Sequence, residues 1–497
     1  MVQLEGQKVI EAKEMARIEK ESIQDGASDE GYMLKAGEGI ARRIEAFIEE
    51  RGRAKKVTLL VGKGNNGGDA FVAGTFLIHR GFEVQAYHLV EAADCSPLCK
   101  KHEKNFSSAG GKVVRGNVVP LEGVIVDGLL GTGFQGKLEG ALLDVIHKAN
   151  NSRLPILSID IPSGVNGNTG EVEPDAIYAT ETIYLGLPKL GFFIGEGYNY
   201  IGKLFRVDFG MDSKYWKKAQ EKAYVVNESM MPELLPHIQR VRHKYQAGYV
   251  LALAGSPGMP GAAMLSSLAA LRSGAGIVRL FHPEGMEDEF AAAPLELIRN
   301  PYSPEDPSPI FEEAKRAKAC LVGPGLGKSE GVHTFVQAVV SKLDLPMVID
   351  ADGLYHIKVF PKGAILTPHY REMLHLLGKE ELSHDDCQKF ADQNLVTIVL
   401  KGAPTWIFHP NTTPLIVPKG DPGMATAGTG DVLTGMIAAL LAQGLHKREA
   451  ATLGVYLHGT CGEIVAIKQT SYDLIASDLI EVLPEAFQTL LAQLPQE

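Results

Sequence analysis

"GKGNNGGDA", residues 62–70, follows an apolar, β-branched run, "KKVTLLVG" (55–62), and leads into a helical one, "DAFVAGTFLIHRG" (69–81). Strand, glycine-rich turn and helix in that order are the unit of a parallel α/β sheet. Gly62, Gly64 and Gly67 satisfy G-x-G-x-x-G, and "GTGFQG" (131–136) satisfies it again. That pattern alone is weak evidence for a dinucleotide site, which also wants an acidic residue at the end of the next strand. Glu91 stands about there. However, Asn65, Asn66 and Asp69 crowd a turn that a dinucleotide fingerprint keeps small, which argues against a plain NAD-dependent dehydrogenase. Gly67 and Gly68 would let backbone amides reach a phosphate.

The same rhythm continues outward. Strands are expected at 82–90, 123–131, 154–160, 181–187 and 203–209, with a helix over "GALLDVIHKANN" (140–151). Residues 213–248 break it, so a domain boundary is placed near 212–225. A second alternation follows, with strands at 249–255, 276–281, 319–323, 346–351, 363–367 and 396–402 and a long helix from 431. A chain of 497 residues is also too long for one core, since cores stop growing at roughly 250–300 residues. The net charge of −11 argues against a nucleic-acid partner. The five cysteines, Cys95, Cys99, Cys320, Cys387 and Cys461, are scattered, as in a reduced protein. Cys95 and Cys99 are not completed to a metal site by a second pair or a histidine cluster in the sequence. The amino-terminus is charged, and no apolar run approaches the roughly 20 residues of a membrane span. A cytoplasmic location without membrane contact is expected, and apolar helices suit a homo-oligomer.

Position singles out three loops of the first half: "GNNGGD" (64–69), "VDGLLGTGFQGK" (126–137) and "DIPSGVNGNTG" (160–170). Each leaves the carboxyl end of an expected strand, and in an open parallel sheet those ends share the ligand-binding edge. Asn66, Asp127 and Ser163 offer hard oxygens for a cation. Asp160 can orient or deprotonate a bound polar group. The plainer alternative for any one of them is a turn or a helix cap; Asp69 in particular reads equally as an N-cap.

"GKGNNGGDAFVAGTFL", "VDGLLGTGFQGK" and "LSIDIPSGVNGNTGEV", with the upstream "AKEMARIEKESIQDGASDEGYMLKAGEGIA", resemble the NAD(P)HX epimerase family over residues 1–215. The resemblance implies a Rossmann-like three-layer sandwich that interconverts R- and S-NAD(P)HX, the hydrated forms of NADH and NADPH. It implies that Asn65, Asn66, Gly67, Gly68 and Asp69, with Gly131, Thr132, Gly133, Phe134, Gln135, Gly136 and Lys137, hold the hydrated nucleotide. Asp160 would contact the same ligand and is the expected catalytic group. Asn66, Asp127 and Ser163 would hold potassium.

In the second half "GMATAGTGDVLTGMIAALLAQG" (423–444) sets Gly428 and Gly430 before Asp431 at the start of a long apolar helix. Amides at such a start, with the helix dipole, favour an anion, and a phosphoryl group in transfer needs those donors in place. Asp431 can take a proton from a substrate hydroxyl; the plainer alternative is a capping aspartate. "AGSPGMPGAAMLSSLAALRSGAG" (254–276), "LVGPGLGKS" (321–329), "LTPHYREM" (366–373) and "LKGAPTWIF" (400–408) place small residues, His369 and Lys401 beside strand ends. "TLGVYLHGTCGE" (452–463) reads as packing helix without chemistry.

Together these motifs, over 225–497, resemble the ribokinase-like superfamily and most closely its NAD(P)HX dehydratase branch. The resemblance implies that Lys401, Gly402, Ala403, Pro404, Thr405 and Gly430 contact ADP. Ala262, Gly325, His369 and Asp431 would contact the hydrated cofactor, and magnesium would neutralise phosphate charge. Ala425, Thr426 and Ala427 stand where the family's loop is richer in glycine. The rival reading is a small-molecule kinase of the hydroxymethylpyrimidine or thiazole type, with a non-catalytic binding module ahead of it.

Overall fold

The computed structural model describes residues 2–116, 121–134 and 136–494. The chain forms two compact units, Gln7–Ala223 and Met1–Gly6 with Tyr224–Glu497. Strand β1 (Glu5–Val9) runs across the junction at Gly6. Leu4 shows why the leading residues join the second unit: its carbonyl accepts a hydrogen bond from Asn227 N at 3.0 Å.

The first unit is built on seven strands: β2 (Lys56–Val61), β3 (Glu83–His88), β4 (Lys112–Arg115), β5 (Val124–Gly128), β6 (Ile156–Ile159), β7 (Glu181–Leu185) and β8 (Lys203–Val207). Their order is β4-β3-β2-β5-β6-β7-β8, parallel at every pairing. Side chains alternate between the faces. Val57, Leu59, Val61, Val124 and Val126 pack on the face carrying helices Asp29–Glu50 and Asn65–His79. Leu60 and Ile125 pack on the other, with Val145 and Ile146 of helix Gly140–Asn151. A sheet covered on both faces explains why these strands read as continuous apolar runs. The strand order reverses between β2 and β5, the crevice where such sheets bind ligands. Gly62 follows β2 there, and a Cβ on it would come 1.8 Å from Leu129 O.

The second unit has β9 (Ala223–Val226), β10 (Tyr249–Leu253), β11 (Ile277–Pro283), β12 (Ile298–Tyr302), β13 (Ala319–Val322), β14 (Met347–Ile349), β15 (Ile365–Leu366), β16 (Thr397–Leu400), β17 (Thr405–Phe408) and β18 (Leu415–Val417). The sheet order is β1-β9-β18-β17-β16-β15-β14-β13-β10-β11-β12. From β16 to β12 neighbours are parallel, whereas β17 runs antiparallel to β16 and β18. Val250, Ala252, Leu321 and Val348 pack against helices Pro260–Arg272 and Thr429–Ala442. The latter is buried continuously from Val432 to Ala442, as an all-apolar helix must be. Helix Lys447–Lys468 is long and apolar enough to cross a membrane, but 78% of its apolar window is buried inside the protein.

Candidate functional site

The loops after β2, β5 and β6 of the first unit meet at one cavity of about 610 Å³. Asn65, Asn66, Asp69, Gly131, Thr132, Gly133, Phe134 and Asp160 line it. Gly136 and Lys137 lie outside that wall; Lys137 is exposed and its Nζ is 3.3 Å from Glu173 Oε2. Gln135 falls outside the described residues. Gly67 and Gly68 sit in the first turn of helix Asn65–His79, not in an open loop. Gly68 N donates to Gly64 O at 3.2 Å, so its amide serves the helix. Because the N-cap is Gly64, Asp69 is the fifth helical residue and not a cap.

Asp160 follows β6 with φ of 62°, a backbone state costly for a residue with a Cβ. Its amide donates to Ile183 O at 2.8 Å, and its Oδ1 accepts from Lys189 Nζ at 2.5 Å. Lys189 is 1% exposed and also donates to Leu185 O at 3.1 Å. Two further carboxyls face this pair. Burial, then the charge of Asp160, pushes Glu19 up to about 7, with Lys189 opposing. Burial and the charges of Asp160 and Glu19 push Asp69 well above the ordinary range. A carboxyl near neutrality can give a proton as readily as take one.

Beneath the cavity floor Asp127 is fully buried. Its Oδ1 accepts from Leu129 N (3.2 Å) and Ser163 Oγ (2.6 Å); its Oδ2 accepts from Ser158 Oγ (2.8 Å) and Ser163 N (2.9 Å). Ser163 Oγ accepts from Leu130 N at 2.9 Å, and Asn66 Nδ2 donates to Leu130 O at 2.7 Å. The three residues expected at a cation thus surround one turn of backbone. Burial still pushes the Asp127 carboxyl up, despite its four hydrogen bonds.

In the second unit the convergence is at the carboxyl ends of β14, β15 and β16. Asp350, 1% exposed, follows β14; its Oδ1 accepts from Lys401 Nζ and its Oδ2 from Thr434 Oγ1, both at 2.7 Å. Burial works to lower the Lys401 pKa, but Asp350 and Glu372 hold it above the ordinary lysine value. Helix Thr429–Ala442 starts beside them, with Gly428 as N-cap at φ 93°. Asp431 is therefore the third helical residue and does not cap the helix. A Cβ on Gly430 would meet Lys401 Nζ at 3.3 Å, so the helix start abuts the ammonium. Burial, then Asp350, pushes the Asp431 carboxyl up to about 7 against the pull of Lys401.

His369 does cap a helix. Its Nδ1 accepts from Glu372 N at 3.2 Å, while Glu372 Oε2 accepts from His369 N at 2.8 Å. Its ring is half exposed. Lys401 N donates to Pro368 O at 2.9 Å, tying the β15 and β16 loops together. Beyond Lys401, Gly402 and Ala403 are exposed, Pro404 is buried, and Thr405 Oγ1 donates to Gly402 O at 3.2 Å. Ala262 and Gly325 adjoin: a Cβ on Gly325 would lie 3.1 Å from that of Ala262.

Sequence reasoning missed Asp350, Thr434, Glu19, Lys189 and His458. Asp350 ends "PMVID" as Asp127 ends "GVIVD", an acid closing a buried strand, and that signal was readable. Thr434 lies one turn past Asp431. His458, in the segment read as packing alone, has Nε2 2.9 Å from Thr429 O and supports the helix start from below. Glu19 and Lys189 carry no local signal.

Residues 30–191 match the family described as YjeF-related protein N-terminus, and residues 250–485 the family described as NAD(P)H-hydrate dehydratase. A protein of Moorella thermoacetica described as a bifunctional NAD(P)H-hydrate repair enzyme is 32% identical over 489 residues, 92% of each chain. One of the same description from Thermofilum pendens is 32% identical over 513 residues, 97% of each chain. Among solved structures, a Streptococcus mutans protein described as hypothetical matches 54% of this chain and 99% of its own, at 23% identity and a TM-score of 0.50. An ADP/ATP-dependent NAD(P)H-hydrate dehydratase from Bacillus subtilis, crystallised with ATP and magnesium, is 31% identical over 53% of this chain and 97% of its own, at a TM-score of 0.46.

Proposed function

The chain belongs to the bifunctional NAD(P)H-hydrate repair enzymes, and from that membership we propose that its first unit interconverts R- and S-NAD(P)HX while its second dehydrates the S form with ADP as phosphoryl donor. The observation that carries the second half is Asp431, held near neutrality beside Lys401 at a helix start. The hydroxyl of the hydrated ring is a poor leaving group. Asp431 takes its proton as the oxygen attacks the terminal phosphorus of ADP; AMP leaves, and the ring carries a phosphate ester. Loss of that phosphate with a proton from the neighbouring ring carbon restores the double bond. Lys401 and the amides around Gly430 hold phosphate oxygens through both stages. Lys401 to Thr405 flank the nucleotide, and Ala262, Gly325 and His369 border the hydrated ring. Asp352 and Glu372, whose charges both act on the Asp431 carboxyl, are the hard oxygens that would suit magnesium, which would screen phosphate charge when bound. Asp350 is left out, because the Lys401 ammonium already supplies its counter-charge.

For epimerisation, inversion requires a bond at the hydroxyl-bearing carbon to break and re-form, with a proton moved each way. Asp160 is the proposed carrier. Lys189 steadies its charge, Glu19 provides a carboxyl that exchanges protons near pH 7, and Asp69 one that burial and the neighbouring charges hold well above the ordinary range. The turn Gly131–Phe134 and Asn65 border the nucleotide. Asn66, Asp127 and Ser163 fit potassium: all are hard oxygen donors, and the Asp127 charge is buried with hydrogen bonds for its partners. Bound there, the ion would fix the floor under Leu130. Five buried free cysteines support a reducing, cytoplasmic setting.

The full chain, given mixed epimers and ADP or ATP, tests this. Recovery of all the reduced-nicotinamide absorbance supports both activities. Recovery of one epimer alone removes the first, and a stable phosphorylated product converts the second unit into a kinase.

A further inference from the structure

We propose that His88, Cys95 and Cys99 form a zinc site that pins the helix Pro97–Ser108 to the end of β3. In the sequence the histidine nearest the two cysteines is His102, three residues past Cys99; the fold brings His88 to them instead. His88 ends β3, Cys95 lies in the connection that follows, and Cys99 is in the first turn of helix Pro97–Ser108. One ligand atom from each lies within 4.8 Å of the others, and His88 Nε2 is 3.3 Å from Cys95 Sγ. Tetrahedral zinc, with bonds of about 2.3 Å to sulfur and about 2.0 Å to nitrogen, holds neighbouring ligands roughly 3.5–3.8 Å apart. The three side chains therefore need only small rotations. All are buried, at 1%, 6% and 0% exposure, which suits a closed structural site. Two thiolates and an imidazole form a soft set that selects zinc over magnesium or calcium.

An independent feature points to the same ligand. His88 Nδ1 and Glu103 Oε2, the latter one helical turn beyond Cys99, lie 3.1 Å apart, both buried and neither with a hydrogen-bond partner, so a small turn of the ring would join them. Glu103 is itself paired with Arg115. A carboxylate on the far ring nitrogen is the arrangement that orients zinc-bound histidines and leaves Nε2 free to bind. Two backbone carbonyls adjoin the sulfurs: Glu91 O is 3.5 Å from Cys95 Sγ, and Gly62 O is 3.7 Å from Cys99 Sγ. Either can serve as the fourth donor. The consequence reaches the cavity. Ser96, between the cysteines, donates from its amide to Lys63 O at 2.9 Å and from its hydroxyl to Asn65 Oδ1 at 3.2 Å. Zinc there would hold the "GKGNN" turn in place, whichever reaction the cavity runs.

The full-length chain is loaded with zinc, freed of excess and analysed by elemental mass spectrometry. About one zinc per chain is expected, falling to background in Cys95→Ser, Cys99→Ser and His88→Gln, with Cys461→Ser as the unaffected control. Cobalt substitution is expected to give a near-ultraviolet thiolate charge-transfer band that Cys99→Ser removes. Glu103→Gln keeps all three ligands and guards against variants that fail to fold. Competition with a chromogenic chelator is expected to show zinc held about 10–100-fold more weakly in it. A wild-type chain that retains no zinc and gives no cobalt–thiolate band overturns the proposal, as does full zinc content in both cysteine variants.

Discussion

Both units set a lysine against an aspartate just beyond a parallel strand, with a carboxyl near pKa 7 beside the pair. In the first the pair is Lys189–Asp160 and the neighbour Glu19; in the second it is Lys401–Asp350 and the neighbour Asp431. Each has a non-glycine residue at positive φ at that strand end, Asp160 at 62° and Ala351 at 48°. The difference lies in what carries the neutral carboxyl. Glu19 lies within helix Ala12–Gln24, which brings side chains to the cavity, Glu19 and Ile23, from its interior and last turn. Asp431 is the third residue of a helix whose first amides have no helical partner. One site can pass protons. The other can also hold a phosphate in transfer. The same charge arrangement thus yields different chemistry according to the backbone behind it.

Replacing Asp431 by Asn breaks this comparison most sharply. Dehydration is expected to fall by about 10²–10⁴, the usual share of a general base, while R/S exchange continues at its full rate. Separate assays of the two steps on one preparation check this, and undiminished dehydration would remove Asp431 as the base. Asp160→Asn is the mirror experiment, with a complication. It strands the buried Lys189 without its partner, which costs about 3–5 kcal/mol. Thermal melting is expected to show that loss, and Lys189→Met in the same chain to return most of it. Exchange should stay low in the double variant. If exchange returns along with stability, Asp160 only held the lysine.

How far the sequence carries follows the same divide. Buried strands such as β2, β5 and β10 were legible as apolar runs, because a sheet covered on both faces needs no polar alternation. So were the loops that leave them. Short strands with weak burial, such as β4 (Lys112–Arg115), carry too little apolar signal to be read. Nor does the joining of Leu4 to the second unit show, since that pairing depends on a segment more than 200 residues away. Asp69 and Asp431 each had a plausible reading as caps; the glycines before them take that place. Glu19 and Lys189 gain meaning only when folding brings them against Asp160. His88 was separable from the cysteines by six residues of connection that the fold closes.

The raised carboxyls also make stability depend on pH. A folded-state pKa above the unfolded one means that the native state loses ground as pH rises. For Asp431 the penalty is absent below about pH 4, the ordinary carboxyl range, grows from there, and is complete above about pH 7. Asp431→Asn removes it. The variant is therefore expected to melt higher than the parent at pH 8, by a few degrees for about 1–3 kcal/mol, and together with it near pH 4. Equal melting temperatures across that range would show that Asp431 titrates normally.

The mildest expected effect concerns the two most buried acids at strand ends, Asp127 and Asp350. Asp350 has an ammonium on one oxygen and a hydroxyl on the other. Asp127 has hydroxyls and amides only; among the described residues no lysine or arginine pairs with it. A buried charge that the fold leaves without a cation is a place where a cation from solution has most to offer. Asn66, which braces the same turn through Leu130 O, is a gentler point of attack than Asp127 itself. Asn66→Ala is expected to slow R/S exchange about tenfold, the order of one lost hydrogen bond of about 1.4 kcal/mol. It should also shrink the difference between potassium and sodium buffers. Dehydration, whose aspartate has its lysine already, should not respond to the choice of ion. Equal exchange rates of the parent chain in both buffers would leave Asp127 neutralised by hydrogen bonds alone.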